Sequence, residues 1–261
     1  MNRKTLAVLN TIFFAVTIAV NYLSNSGLIG GNTMRSVSNR YENLFTPASY
    51  AFSIWGVIYL LLGGFIVYSF FVLKKDKHSS FISDTGIWFI LSCIANSLWV
   101  VCWLNDFIGL SVLFMLILLT SLTKVILNNH IGISDASSRQ KFFLWWPFSL
   151  YAGWISVATI ANIAAFLTKT EWTGFGISET VWTIIMIAVA AVLNLILISK
   201  RDITAFAIAG AWGLMAVAIA NRGDHQPVFL AAIISSILIC IGAVIKLFKK
   251  PAGIGQQHLQ L

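Results

Sequence analysis

The chain is a succession of long apolar runs separated by short polar links. The runs cover residues 5–23, 50–73, 86–104, 107–127, 142–167, 177–199, 203–220 and 228–248. A bilayer core about 30 Å thick takes about 20 helical residues to cross, and most of these runs reach that length. Hydrocarbon offers no partner to a backbone amide, so runs of this kind cross as helices that satisfy their own hydrogen bonds. The expected fold is all-α, a polytopic transmembrane helical bundle of about eight spans. The chain is 58% hydrophobic and only 10% charged, whereas a soluble domain averages about 25% charged. The first run, preceded by Arg3 and Lys4, has the basic flank of a signal peptide. Its length and the lack of an A-x-A-like site favour a retained helix.

Charge gives the orientation. Eight spans place both termini on one side. That side holds Arg3, Lys4, Lys74, Lys75, Lys77, Lys124, Arg139, Lys141, Lys200, Arg201, Lys246, Lys249 and Lys250. The other side holds Arg35, Arg40, Lys169 and Arg222, so all 17 basic residues divide 13 to 4. Short loops rich in Lys and Arg stay in the cytoplasm, which predicts cytoplasmic termini. The net charge of +8 is accounted for by these loops and does not call for nucleic acid as a partner.

The chemistry-bearing residues exclude more than they offer. All nine acidic residues fall in loops or at span ends, and no Lys or Arg stands at a midplane. Ion-coupled pumps keep an ionisable group there. No H-E-x-x-H, G-x-S-x-G, phosphate-binding Gly-rich loop or metal-spaced Cys pair is present, so no enzyme activity, metal or cofactor is expected. The three cysteines give no disulfide framework. His78, His130, His225 and His258 lie in loops or near ends; His225 with Asp224 and Arg222 is a tight charge cluster on the outer side.

The spans themselves offer aromatic faces. In the fifth, Tyr151, Trp154, Ala158, Asn162 and Ala165 fall within about an 80° arc at 100° per residue. In the third, Trp88, Ser92, Asn96, Trp99 and Trp103 make a stripe of similar width. In the second, Phe52, Trp55, Tyr59 and Gly63 form a comparable face. An amide or an indole N–H turned to lipid would go unpaired, so these faces should turn inward. Two readings stay open: aromatic helix packing, or a cavity suited to a flat, mostly apolar ligand with few polar groups.

Three stretches, in order, resemble the TspO/MBR family, the tryptophan-rich sensory proteins of bacteria and the mitochondrial translocator protein. Pro47 to Tyr59 is similar to the family's Pro-Pro-x-Trp-…-Pro-Val-Trp-x-x-Leu-Tyr. Asn96 and Trp99 match its third-helix Asn-x-x-Trp. Tyr151, Trp154, Ala158, Thr159 and Asn162 fit its fifth-helix Tyr-x-x-Trp-x-x-x-Ala-Thr-x-x-Asn. Ser53 and Leu150 stand where the family has Pro, and Pro147, one turn earlier, is expected to supply a kink instead.

The resemblance covers roughly residues 1–167 and implies a five-helix bundle whose first long loop lids a pocket. It implies a porphyrin-like, haem-related or other flat lipophilic ligand, common homodimers and a bacterial cell membrane. Carried over by position, Trp99, Trp154, Ala158 and Asn162 line that pocket, with Trp55 nearby. With the neighbours on the three faces, the expected ligand-binding set is Trp55, Tyr59, Asn96, Trp99, Trp103, Tyr151, Trp154, Ala158, Thr159 and Asn162. Residues 168–261 then form a second unit of three helices and a short polar tail. Trp212 and Asn221 there faintly echo Trp154 and Asn162. The function expected is binding, sensing or moving a hydrophobic small molecule. A secondary transporter or channel using all eight helices is the alternative, ahead of a membrane enzyme.

Overall fold

A computed structural model describes residues 1–75 and 80–248. Lys77, Lys249 and Lys250, counted above, lie outside the described residues, as do Asp76, His78, His258 and the polar tail. The main helices are α1 (Arg3–Leu23), α2 (Met34–Arg40), α3 (Ile54–Lys75), α4 (Phe81–Leu104) and α5 (Ile108–Asn128). They continue with α6 (Trp146–Lys169), α7 (Glu179–Lys200), α8 (Thr204–Ala220) and α9 (Gln226–Phe248). No strand occurs among the described residues, and seven of the helices are long and apolar enough to cross a membrane.

The helix short of that length is α8, with 17 residues. At 1.5 Å per residue it measures about 26 Å, a few ångströms under the hydrocarbon thickness. Its ends show that it nevertheless runs from one end of the bundle to the other. Just before it, the Asp202 amide donates to the Gly132 carbonyl at 2.7 Å, in the loop after α5. Just after it, the Asn221 side chain donates to the Leu44 carbonyl at 2.9 Å, in the loop after α1. Those two loops lie at opposite ends of the bundle, so α8 runs its length beside the seven longer helices.

Two boundaries differ from the sequence reading. The third span starts at Phe81 rather than Gly86, because the helix continues through a break at Gly86, whose φ of 28° suits a residue without a Cβ. The fifth span starts at Ser138 rather than Phe142 and runs as one helix to Lys169. Its turn Lys141–Trp145 is π-helical and stands immediately before Pro147. The wider turn falls where the proline ring has no N–H to give to the ladder. The first long loop also holds a helix of its own, α2, opened by a capping box between Thr33 and Ser36.

The spans pack around two buried clusters. The larger joins α1, α3, α4, α5 and α6 and takes in Phe206, Ala209 and Ala216 of α8. The smaller lies among α6, α7, α8 and α9 and includes Phe45 of the first loop. Lipid is as apolar as Leu, so helices associate in it through close contact and hydrogen bonds. The α6–α8 contact is of this kind. A Cβ on Gly153 would run into the Phe206 backbone, and one on Gly213 would sit 2.8 Å from Val157. Through these contacts α8 is packed into the bundle of the first five spans.

Candidate functional site

The three aromatic faces converge at the end of the bundle that carries the first loop. Trp55 of α3 is at the centre. Its ring stacks on Tyr59 at 5.4 Å and lies 6.0 Å from Trp99. It meets Tyr151 edge-on at 5.7 Å and Trp154 at 6.4 Å. Trp99 in turn approaches Trp103 at 6.4 Å. The 4.5–7 Å separations and the tilted, stacked or edge-on geometries are those that favour aromatic contact.

The amides tie these faces together. The Asn21 side chain of α1 donates to Oδ1 of Asn96 at 2.7 Å, and Asn96 donates to the Tyr151 hydroxyl at 2.9 Å. One chain of hydrogen bonds therefore crosses α1, α4 and α6. A second runs from Trp99, whose Nε1–H donates to Asn162 Oδ1 at 2.7 Å, to Ser111 of α5, which accepts from Asn162 Nδ2 at 2.9 Å. Asn162, expected as a polar handle for a ligand, is occupied by the protein.

Packing leaves a cavity of about 50 Å³ beside the cluster. Of the expected residues, Trp55, Trp99, Trp103, Trp154, Ala158 and Asn162 line it. Asn96, Tyr151 and Thr159 do not: the first two sit in the hydrogen-bond chain, and the Thr159 hydroxyl donates to its own helix at Ile155 O. Tyr59 faces instead a wide cleft of about 740 Å³ between α1 and α3, which Trp55 also lines. Residues not foreseen complete the cavity wall: Met34, Tyr41, Phe45 and Pro47 from the first loop, and Val217 from α8. The loop was legible as a lid only through the resemblance, and nothing in α8 marks Val217 as a wall.

One fully buried polar group at the cavity has no partner. The Trp154 indole N–H is buried without a hydrogen bond, while those of Trp99 and Trp103 donate to Asn162 and to the Met34 carbonyl. An unpaired buried N–H costs about 1–3 kcal/mol, so it needs a reason.

The loop is fastened at both flanks. On one, Asp106 in the α4–α5 turn accepts a hydrogen bond from the Tyr41 hydroxyl at 2.7 Å and pairs with Arg40 at 3.7 Å and Lys169 at 2.7 Å. Burial pushes the Asp106 carboxyl up, but the hydrogen bonds from Lys169 and Tyr41 and the charges of Lys169 and Arg40 outweigh it. Its pKa is lowered from the ordinary value. On the other flank α8 holds the loop. The Ala48 amide donates to Ala216 O at 3.0 Å, and Trp212 Nε1–H donates to Ala51 O at 3.1 Å. Trp212 and Asn221 both serve as ties between α8 and this loop. His225 and Arg222 make no ion pair among the described residues.

Among the described residues no group of His, Cys, Asp or Glu could hold a metal ion, and no Asp, Glu, Lys or Arg is fully buried. These features define a multi-pass, all-helical integral membrane protein with a buried indole–amide cluster under a fastened loop. The chain belongs to the family described as TSPO-like protein, whose model matches residues 7–245. The match takes in the last three spans as well as the first five. No curated protein and no solved structure matches. Membership supports a membrane protein that binds or senses ligands.

Proposed function

We propose that the chain binds a flat hydrophobic molecule of porphyrin type in the cavity beside Trp55, Trp99 and Trp154, and that it senses or moves that molecule rather than transforming it. The observation that carries this reading is the unpaired Trp154 N–H. It lies in a residue that lines the cavity enclosed between the aromatic cluster and the first loop, and a ligand oxygen or nitrogen there would satisfy it. Ligand pockets hold roughly 300–1,000 Å³, so the present cavity is a closed state. Entry requires the loop carrying Met34, Tyr41, Phe45 and Pro47 to lift, or Trp55 to swing toward the cleft it also lines. Met34, Phe52 and Trp55 form the partition between cavity and cleft.

In this reading the termini are cytoplasmic and the lid lies outside. Coupled secondary transport is disfavoured because the described spans bury no Asp, Glu, His, Lys or Arg side chain. The test is native mass spectrometry of the detergent-purified protein, which reads both a co-purifying small molecule and a homodimer. It is followed by titration of Trp emission with a porphyrin. Saturable quenching that disappears in Trp154→Ala supports the proposal. Quenching that is linear in porphyrin, or equal in the variant, defeats it.

A further inference from the structure

A second, larger space lies outside the aromatic cluster. Between the last turns of α6 and the first turns of α7 runs a groove of about 640 Å³, at the end of the bundle that carries the loop. Its walls are apolar over most of their length: Ile160, Ile163 and Leu167 from α6, Met186 from α7. At the mouth stand two indoles, Trp172 and Trp182, with ring centroids 5.2 Å apart. The Trp182 N–H donates to Gly174 O at 2.8 Å, which fixes that ring.

Three carboxylates share the mouth with the indoles: Glu42, Glu171 and Glu179. All three residues are exposed. Glu179 accepts a hydrogen bond from the Leu44 amide at 3.0 Å. No cation stands within ion-pair distance of any of them among the described residues, since both ion pairs there belong to Asp106. No Lys or Arg lines the groove. In a chain of net charge +8 this is a local excess of negative charge set over an apolar slot with aromatic edges.

We propose that this groove binds an amphipathic organic cation, an apolar or aromatic body carrying one permanent positive charge. The body lies between α6 and α7, where it replaces lipid contact. The charge sits at the mouth, where indole faces and carboxylates both attract it. A neutral ligand would leave the three like charges uncompensated, and an anion would be repelled. Phe45 is wall to both this groove and the cavity by Trp154, but the two sites take different chemistry.

The test uses the full chain in neutral dodecyl maltoside micelles with two probes of matched shape and opposite charge, tetraphenylphosphonium and tetraphenylborate, read by equilibrium dialysis. Saturable binding of the cation at least tenfold tighter than that of the borate is expected. The double variant Glu42→Gln, Glu171→Gln should weaken it at least fivefold, as should Ala164→Phe, which fills the groove and leaves every carboxylate in place. Porphyrin quenching should persist in both variants, so failure here is separable from failure of the first site. Equal binding of the two probes overturns the proposal, as does wild-type cation affinity in both variants. A tightly held phospholipid whose removal uncovers no cation binding overturns it too.

Discussion

Trp99 and Asn162 are joined across α4 and α6 by a buried hydrogen bond of 2.7 Å, indole N–H to amide oxygen. Asn162 also donates to Ser111 at 2.9 Å, so a single amide fastens α4, α5 and α6. The first prediction concerns this amide. Asn162→Leu keeps similar bulk and strands the Trp99 N–H, so it should destabilise the protein by about 1–3 kcal/mol. Adding Trp99→Phe should recover part of the loss, because the stranded donor is then gone. Thermal unfolding of the two single variants and the double variant gives the coupling. Strictly additive losses would mean that the bond contributes nothing.

The second prediction concerns the Asp106 latch, formed with Tyr41, Arg40 and Lys169. The folded carboxyl has a lowered pKa, so its contribution is complete above the ordinary carboxylate value. It is lost as pH falls through the folded one. Asp106→Asn should therefore speed hydrogen exchange across residues 34–41 at neutral pH. The difference from wild type should shrink on acidification below the carboxylate range. A difference that grows toward low pH would contradict the assignment.

How far the sequence carried can be judged at particular residues. The period of α4 identified a face holding Asn96, Trp99 and Trp103, and all three turn to the core. Trp88, on the same stripe, does not join them. It is half-buried, and Lys124 lies over its ring at 5.8 Å, because a helix as long as a bilayer carries one stripe past different neighbours. Periodicity shows which side is inward but not what it meets. Ser111 looked like any small residue in an apolar span, yet it completes the Asn162 bond. The capping pair Thr33 and Ser36 was present in the sequence as a helix start. It was hidden by the polar composition around it. That aromatic rings would fill most of the space between the faces depends on rotamers and helix crossings, which no single-chain pattern encodes.

The third prediction concerns residues 168–261. Sequence reasoning expected residues 1–167 to stand alone. The Gly153–Phe206 and Val157–Gly213 contacts, and the bonds from Ala48 and to Ala51, instead make α8 part of the wall of the first five spans. A chain ending at Lys169 should express poorly or run as aggregate in detergent size exclusion. Gly153→Leu in the full chain should reproduce the defect by driving a side chain into the Phe206 backbone. A monodisperse, porphyrin-binding fragment would refute this.

The fourth concerns orientation, and it uses a Cys240→Ser background because Cys240 is exposed while Cys93 and Cys102 are buried. Asn39→Cys in the lid should react with an impermeant maleimide in intact cells. Ser138→Cys, at the opposite end, should react only after permeabilisation. The reverse pattern would invert the topology.

The last prediction separates binding from packing at Trp154. Two variants are needed, since Trp154→Ala removes both ring and N–H. It should cost several kcal/mol of stability, as large-to-small core changes do, and it should lose porphyrin binding. Trp154→Phe keeps most of the ring contact with Trp55 and Phe52 and removes an N–H that the folded protein leaves unpaired. Deleting an unsatisfied donor relieves a cost, and this offsets part of the lost ring area. Trp154→Phe should therefore unfold close to wild type. If a ligand accepts from the N–H, porphyrin affinity per folded molecule should still fall about tenfold, equivalent to about 1.4 kcal/mol. Trp emission quenching and thermal unfolding on the same samples give both numbers. Unchanged affinity in Trp154→Phe, beside a large stability loss in Trp154→Ala, would assign Trp154 to packing alone.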